Sequence, residues 1–283
     1  MTWNNHVASH NPVVKPIGLV ACGPSSSHTM MVKTQCQATT TSRLKARRKS
    51  TYRSRSSPLP VAAGIVSVLA IANIVSNRVL PVWAYIPFSL AVSVVVFLLA
   101  RRAVTPAEMG LTEWGRGARW GGAIFAATFV LFAVAAAVPG LEDLFEDRRV
   151  GGGAASLVYH ALVRIPLGTV MLEELSFRGA LPAVMARRWS VRNACIVSSA
   201  LFGLWHVLPA WSLGDVNPVA DAVFGDGWYG QAAGIAFAVV GTFLAGLVLC
   251  FLRYGSRSLL APALAHVASN SLGYTFAWFI TQR

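Results

Sequence analysis

The sequence predicts an all-α protein: a polytopic transmembrane helix bundle of about seven spans, preceded by a disordered basic N-terminal tail. Three observations lead there. Of 283 residues, 55% are hydrophobic and only 12% charged, about half the charged share of an ordinary soluble domain. The apolar residues fall in long runs rather than in an amphipathic rhythm. Arginines gather at alternate ends of those runs, as the positive-inside rule requires.

The tail comes first. Residues 1–57 carry nine of the 24 basic residues, every lysine among them, and no acid, which leaves 15 basic against 11 acidic residues in the rest of the chain. The net charge of +13 therefore belongs to an arm, and no nucleic-acid partner is expected. Rich in Ser, Thr, Arg and Lys, the arm reads as a plain disordered tail or an over-long start, with a transit-like segment as the alternative. Cys22, Cys36, Cys195 and Cys250 have no paired spacing, which gives little support to a disulfide framework or a thiolate zinc site. Cys195 and Cys250 lie in apolar spans as small core residues.

The spans are expected at Leu59–Asn77, Leu80–Ala100, Trp120–Gly140, Ala154–Met185, Val191–Pro209, Gly230–Leu252 and Leu259–Ile280. The fourth is long for one crossing, since about 20 residues suffice, and Pro166 and Pro182 are expected to divide or bend it. With the tail cytoplasmic, one side holds Arg101, Arg102, Arg116, Arg119, Arg187, Arg188, Arg192, Arg253 and Arg257. The other holds the acidic segment from Glu142 to Asp147 and the Trp211–Tyr229 loop, which has three Asp and no Lys or Arg. The expected location is the plasma membrane, with an organellar membrane as the alternative.

Within the fourth run lies Leu172-Glu-Glu-Leu-Ser-Phe-Arg-Gly179. Ionisable groups at bilayer depth are costly and mark a functional site when partners can be named. Glu173 precedes Arg187 by 14 positions and His206 follows Arg192 by 14, about 21 Å of helix in each case. His266 and Asn270 follow Arg257 by 9 and 13 positions, about 14 and 20 Å. Three helices thus bring polar groups to overlapping depth. His266 and Asn270 share a face, and Glu174 and Arg178, also four apart, form an internal pair. Glu173 points about 100° away from Glu174, so one carboxylate is neutralised while the other faces a cavity. Gly179 and Gly203 are expected at close helix approaches.

These residues resemble the CAAX protease and bacteriocin-processing family of intramembrane proteases, which includes the type II CAAX prenyl endopeptidases. The family pattern EExxxR, FxxxH and HxxxN reads here as Glu173-Glu174-Leu-Ser-Phe-Arg178, Phe202-Gly-Leu-Trp-His206 and His266-Val-Ala-Ser-Asn270. The resemblance covers roughly residues 160–275. It divides the chain into a tail at 1–57, accessory transmembrane helices at 58–150 and a catalytic core at 151–283. It implies that Glu173, helped by His206, activates a water for attack on a peptide carbonyl. It further implies that His266 and Asn270 stabilise the oxyanion. Glu174, Arg178 and Phe202 support the site.

The implied partners are a membrane-associated or lipid-modified protein or peptide substrate and the lipid bilayer. No cofactor is favoured, although Glu173, His206 and His266 would make a plausible zinc set. Plainer alternatives stand beside this reading: a non-catalytic membrane partner-binding or immunity protein on the same fold, or a proton-coupled transporter. For Glu174 and Arg178 alone the plainer role is a structural ion pair, and for His266 and Asn270 it is interhelical hydrogen bonding. His160 and Arg164 match no motif and are read as interfacial or cavity-edge residues. Trp205, Trp211, Trp228 and Trp278 are read as interfacial belt residues.

Overall fold

The structure, a computed structural model, describes residues 57–225 and 227–282. The expected tail falls outside them except for Ser57. The described residues are helical, with no strand among them. Helix α1 (Pro58–Arg78) opens on prolines, tolerated in a first turn whose N–H groups have no helical acceptor. It stops short of Pro81. A single 3₁₀ turn leads into α2 (Tyr85–Ala100), and α3 spans Trp114–Ala137.

The long apolar run forms one continuous helix, α4 (Ala154–Met185, 32 residues). It is not divided at its prolines. Instead it unwinds twice into π-helical stretches, His160–Val170 around Pro166 and Leu175–Ala180 just ahead of Pro182. The wider i→i+5 turn absorbs a proline that lacks an N–H and crowds the preceding turn. The carbonyl of Phe177, inside the second stretch, accepts a bond from Ser198 Oγ at 2.6 Å.

Helix α5 (Val191–Trp205) starts on Ser190, whose Oγ accepts the Asn193 N–H at 3.2 Å. The sequence leads one to expect this span to reach Pro209, but the helix ends at Trp205 and turns follow. Two short helices, α6 (Leu213–Val216) and α7 (Pro218–Phe224), precede the 30-residue α8 (Gly227–Ser256). The last run begins as α9 (Leu260–Val267), passes through a π turn at Ala268–Leu272 and ends as α10 (Gly273–Thr281).

Among the described residues five helices are long and apolar enough to cross a membrane: α1, Val82–Ala100 (α2 with its leading turn), α3, α4 and α8. Helix α5 is apolar but shorter, and the final run carries polar residues in its middle. Large apolar side chains such as Ile71, Leu131, Phe237 and Val248 face outward, as they do on helices solvated by lipid. The protein is an integral membrane helix bundle.

Helix α8 packs along α5, and α9 along α3. Gly203 permits the first approach, since a Cβ there would stand 2.7 Å from the Val239 carbonyl oxygen. Gly179 is in ordinary contact, with Leu259 and the Met109 backbone 3.5 Å from a Cβ placed there. Buried Arg253 staples the end of α8 to the α2–α3 connection. Its Nη2 and Nε donate to the carbonyls of Glu108 (2.8 Å) and Met109 (3.2 Å). Gly110, at φ 82°, allows that guanidinium to lie against the backbone.

Candidate active site

Helix α4 presents Glu173, Glu174 and Arg178 to the interior, 5%, 1% and 1% exposed. Glu174 Oε1 lies 3.2 Å from Arg178 Nη1, so the expected pair is present. The guanidinium nitrogens satisfy no hydrogen-bond geometry, and the approach is a charge contact rather than an aligned bond. The same guanidinium sits over the Phe202 ring, 3.8 Å from its centroid, where the ring's electron-rich face attracts it.

The final helical run adds His266, which is also buried. Its Nδ1 lies 2.8 Å from Glu174 Oε1, and its Nε2 lies 3.7 Å from Glu173 Oε2. A carboxylate at Nδ1 fixes the ring orientation and favours the tautomer that carries its proton there. Glu174 thus holds Arg178 on one side and His266 on the other. The π turn that follows places Asn270 half-buried, with its Oδ1 accepting a bond from Ser269 Oγ at 3.2 Å. Its amide N–H groups donate to no other group among the described residues. Ser271, in the same π turn, donates to the Ala161 carbonyl at 2.8 Å and ties this turn to the first π stretch of α4.

The C-terminal end of α5 supplies the third wall. Phe202 lies between the charges and the rings, with centroids 4.6 Å from His206 and 6.0 Å from His266. His206 Nδ1 is 2.8 Å from the Phe202 carbonyl of the preceding helix, which leaves Nε2 open to another group. No hydrogen bond joins His206 to Glu173 among the described residues. The ring that approaches Glu173 is that of His266.

The group bonded to Glu173 is Trp205, whose Nε1–H donates to Oε1 at 3.0 Å. Reading Trp205 as a belt residue missed this bond. The missed signal is chemical: a half-buried indole N–H needs an acceptor, and the acid pair lies at its depth. Trp205 is itself anchored from outside the motifs. Asn73 of α1 donates to the Trp205 carbonyl at 3.0 Å, and Asn77 donates to Asn73 Oδ1 at 2.7 Å. That carbonyl ends a helix and has no partner within it. A small apolar cleft of about 150 Å³ between α1, α4 and α5 adjoins Trp205.

Glu173 Oε2 and Glu174 Oε2 are both buried without a hydrogen-bond donor among the described residues, but Glu174 is already engaged by Arg178 and His266 through its other oxygen. Glu173 Oε2 is thus the oxygen of the less committed carboxylate. The His266 imidazole approaches it, with Nε2 at 3.7 Å, and His206 is in contact with the Phe202 ring. The arrangement suits abstraction of a proton from a small nucleophile beside donors that steady a developing negative charge. Glu173 Oε1 is engaged by Trp205 and the Nδ1 atoms of both histidines are occupied, which leaves Glu173 Oε2 and the two Nε2 atoms as the ones that could reach an ion. No group of three His, Cys, Asp or Glu side chains among the described residues is placed to share an ion.

Residues 154–272 match the family model described as Type II CAAX prenyl endopeptidase Rce1-like. The matched segment runs from the start of α4 to the π turn that holds Asn270. No curated protein and no solved structure matches the chain.

Proposed function

From the match of residues 154–272 to the type II CAAX prenyl endopeptidase Rce1-like family model, we propose that the chain is a CAAX-protease-family intramembrane endopeptidase acting on a membrane-associated or lipid-modified protein or peptide. The proposed step is hydrolysis of a peptide bond by a water that Glu173 and His206 activate. The observation that carries it is Glu173 Oε2, a buried carboxylate oxygen with no donor bonded to it. Such an oxygen retains the lone pairs a general base needs.

In this mechanism Glu173 takes a proton from the water as its oxygen adds to the scissile carbonyl. Trp205, bonded to the other carboxylate oxygen, keeps Oε2 aimed at the water. His206 Nε2 accepts or returns a proton during attack and collapse. The oxyanion receives hydrogen bonds from the Asn270 amide and from His266. With Nδ1 held by Glu174, His266 turns Nε2 to the oxyanion. Each such donor contributes about 3 kcal/mol to a transition state of this kind. Arg178 balances the charge of Glu174, and Phe202 separates that pair from the reacting atoms. No step is routed through a metal ion.

Glu173→Gln keeps the shape and the Trp205 bond but cannot take a proton. Membranes from cells making wild-type or Glu173→Gln protein are compared by mass spectrometry of processed peptides, with folding checked by helicity. The variant accumulates uncut substrate. Identical peptide profiles with both proteins folded would refute the proposal.

A further inference from the structure

Cys195 and Cys250 show no pairing in their sequence spacing, and the proposed hydrolysis uses neither. Both are free thiols, Cys250 buried and Cys195 half-buried. The packing of α5 against α8 brings them together.

The two helices run antiparallel, and their small residues fix the register. A Cβ on Gly203 would stand 3.3 Å from Phe243 Cβ, and one on Gly246 would stand 3.0 Å from Ser199 Cβ. Each turn back along α5 therefore matches a turn forward along α8. Residues four apart share a helical face, so the next turn sets Cys195 opposite Cys250. The side chains agree with that register. Ser199 Oγ lies 3.8 Å from Cys250 Sγ, and the two thiols interact directly.

The backbones pass close enough to be joined. A disulfide needs its two Cβ atoms about 3.5–4.5 Å apart. At Gly246 the same measure, taken to Ser199, is 3.0 Å, and the thiols stand one turn further along this contact. The surroundings select the reagent. Ala194, Leu249 and Leu252 are buried apolar neighbours in the chain, while Ile196 faces outward, so a neutral oxidant dissolved in the bilayer has the easier approach to Cys195. Arg253, one turn along α8 from Cys250, brings a positive charge within electrostatic reach of Cys195. Positive charge beside a partly exposed thiol is the setting in which cysteine oxidises.

We infer that Cys195 and Cys250 form a modification site, at which a hydroperoxide closes a reversible disulfide that clamps α5 to α8. The Cys195 sulfur takes the outer oxygen of the hydroperoxide, the O–O bond breaks, and the alcohol leaves with the thiol proton. The resulting sulfenic acid is attacked by the Cys250 sulfur; the S–S bond forms and water leaves with the second proton. Two electrons pass from the thiol pair to the hydroperoxide. Because the thiols already face each other, the bond fixes the arrangement described above rather than a new one. Cys195 lies about two turns from Phe202, so the clamp steadies the short helix that carries Phe202, Trp205 and His206. No step of the hydrolytic reading is needed for it.

Full-length protein in nanodiscs is reduced, exposed to tert-butyl hydroperoxide, capped with a maleimide and digested without reduction for mass spectrometry. A peptide pair joining Cys195 to Cys250 accumulates and disappears with dithiothreitol. Its formation raises the unfolding midpoint by several degrees. Cys250→Ser protein forms no such pair and keeps a sulfenic acid at Cys195, which dimedone captures. The inference is overturned if both residues carry maleimide after oxidation, if Cys195 proceeds unpaired to the sulfinic acid, or if bridges run to Cys22 or Cys36 instead. A bridge that forms without moving the midpoint overturns the clamp. Should Cys250→Ser fail to fold, the wild-type peptide map still decides.

Discussion

Trp205→Phe removes one hydrogen bond and leaves the aromatic contact with Phe177 in place. The indole N–H lies 3.0 Å from Glu173 Oε1, and a bond to a charged acceptor contributes about 1.5–3 kcal/mol. Without it the carboxylate rotates freely, and Oε2 is no longer held toward the water. If the whole of that energy is spent on orientation, the rate falls about ten- to a hundredfold, at 1.36 kcal/mol per decade. Trp205 guides the base, and in the proposed mechanism it does not bind substrate. The loss therefore falls on kcat, with KM within about twofold of wild type. Asn73→Leu, which frees the Trp205 carbonyl, costs a smaller part of the same term, about 1 kcal/mol. The assay is initial-rate cleavage of a fluorescent membrane-anchored peptide by purified protein in nanodiscs, with helicity and elution volume as folding controls. A folded Trp205→Phe enzyme with wild-type kcat, or one whose defect lies wholly in KM, refutes the reasoning.

Removing one partner of the buried pair is more damaging to stability than removing both. At 3.2 Å two unit charges attract by about 5 kcal/mol at an effective dielectric of about 20. Leaving one of them unpaired costs about 3–5 kcal/mol. Because Glu174 keeps His266, Arg178→Met lies toward the low end of that range, and Glu174→Gln with Arg178→Met restores part of the loss. Reversible unfolding in mixed micelles measures both, and a double variant no more stable than Arg178→Met contradicts the account. Treatment of the purified enzyme with 1,10-phenanthroline leaves kcat unchanged. Activity lost to the chelator and regained with zinc would place an ion in the mechanism.

The membrane character and helical class of the chain were legible because hydropathy and length act through composition, which needs no tertiary information. The depth argument also worked for a local reason. Helical rise is nearly uniform, so counting from arginines at the span ends brought Glu173 and His266 to within about 7 Å of the same depth, and their side chains do approach each other. Which atoms meet was not legible. The reading gave Glu174 one partner, but its oxygen is shared between Arg178 and His266, and that choice depends on the rotation of α9 against α4. Trp205 was assigned to the interface because tryptophans gather there, a statistical tendency that a single buried acceptor overrides. The prolines of α4 were expected to divide or bend it, and the helix is not divided but widens around them. That outcome depends on neighbours such as Ser198, which takes up the Phe177 carbonyl, and a neighbour 21 residues away leaves no local mark. Asn73 was invisible for the same reason, standing 132 residues from the carbonyl it bonds.

The early end of α5 has a consequence for supply. Hydrolysis consumes water, and a hydrocarbon interior excludes it. A helix of 15 residues covers about 22 Å, less than the roughly 30 Å of a bilayer core. Beyond Trp205 the backbone proceeds in turns, whose polar groups are tolerated at such depth only against protein or a wet cavity. His206 is the first residue past the helix end, where this wettable stretch begins. In the proposed hydrolysis a shorter membrane crossing would give the nucleophile a way in, through the turns that begin at His206.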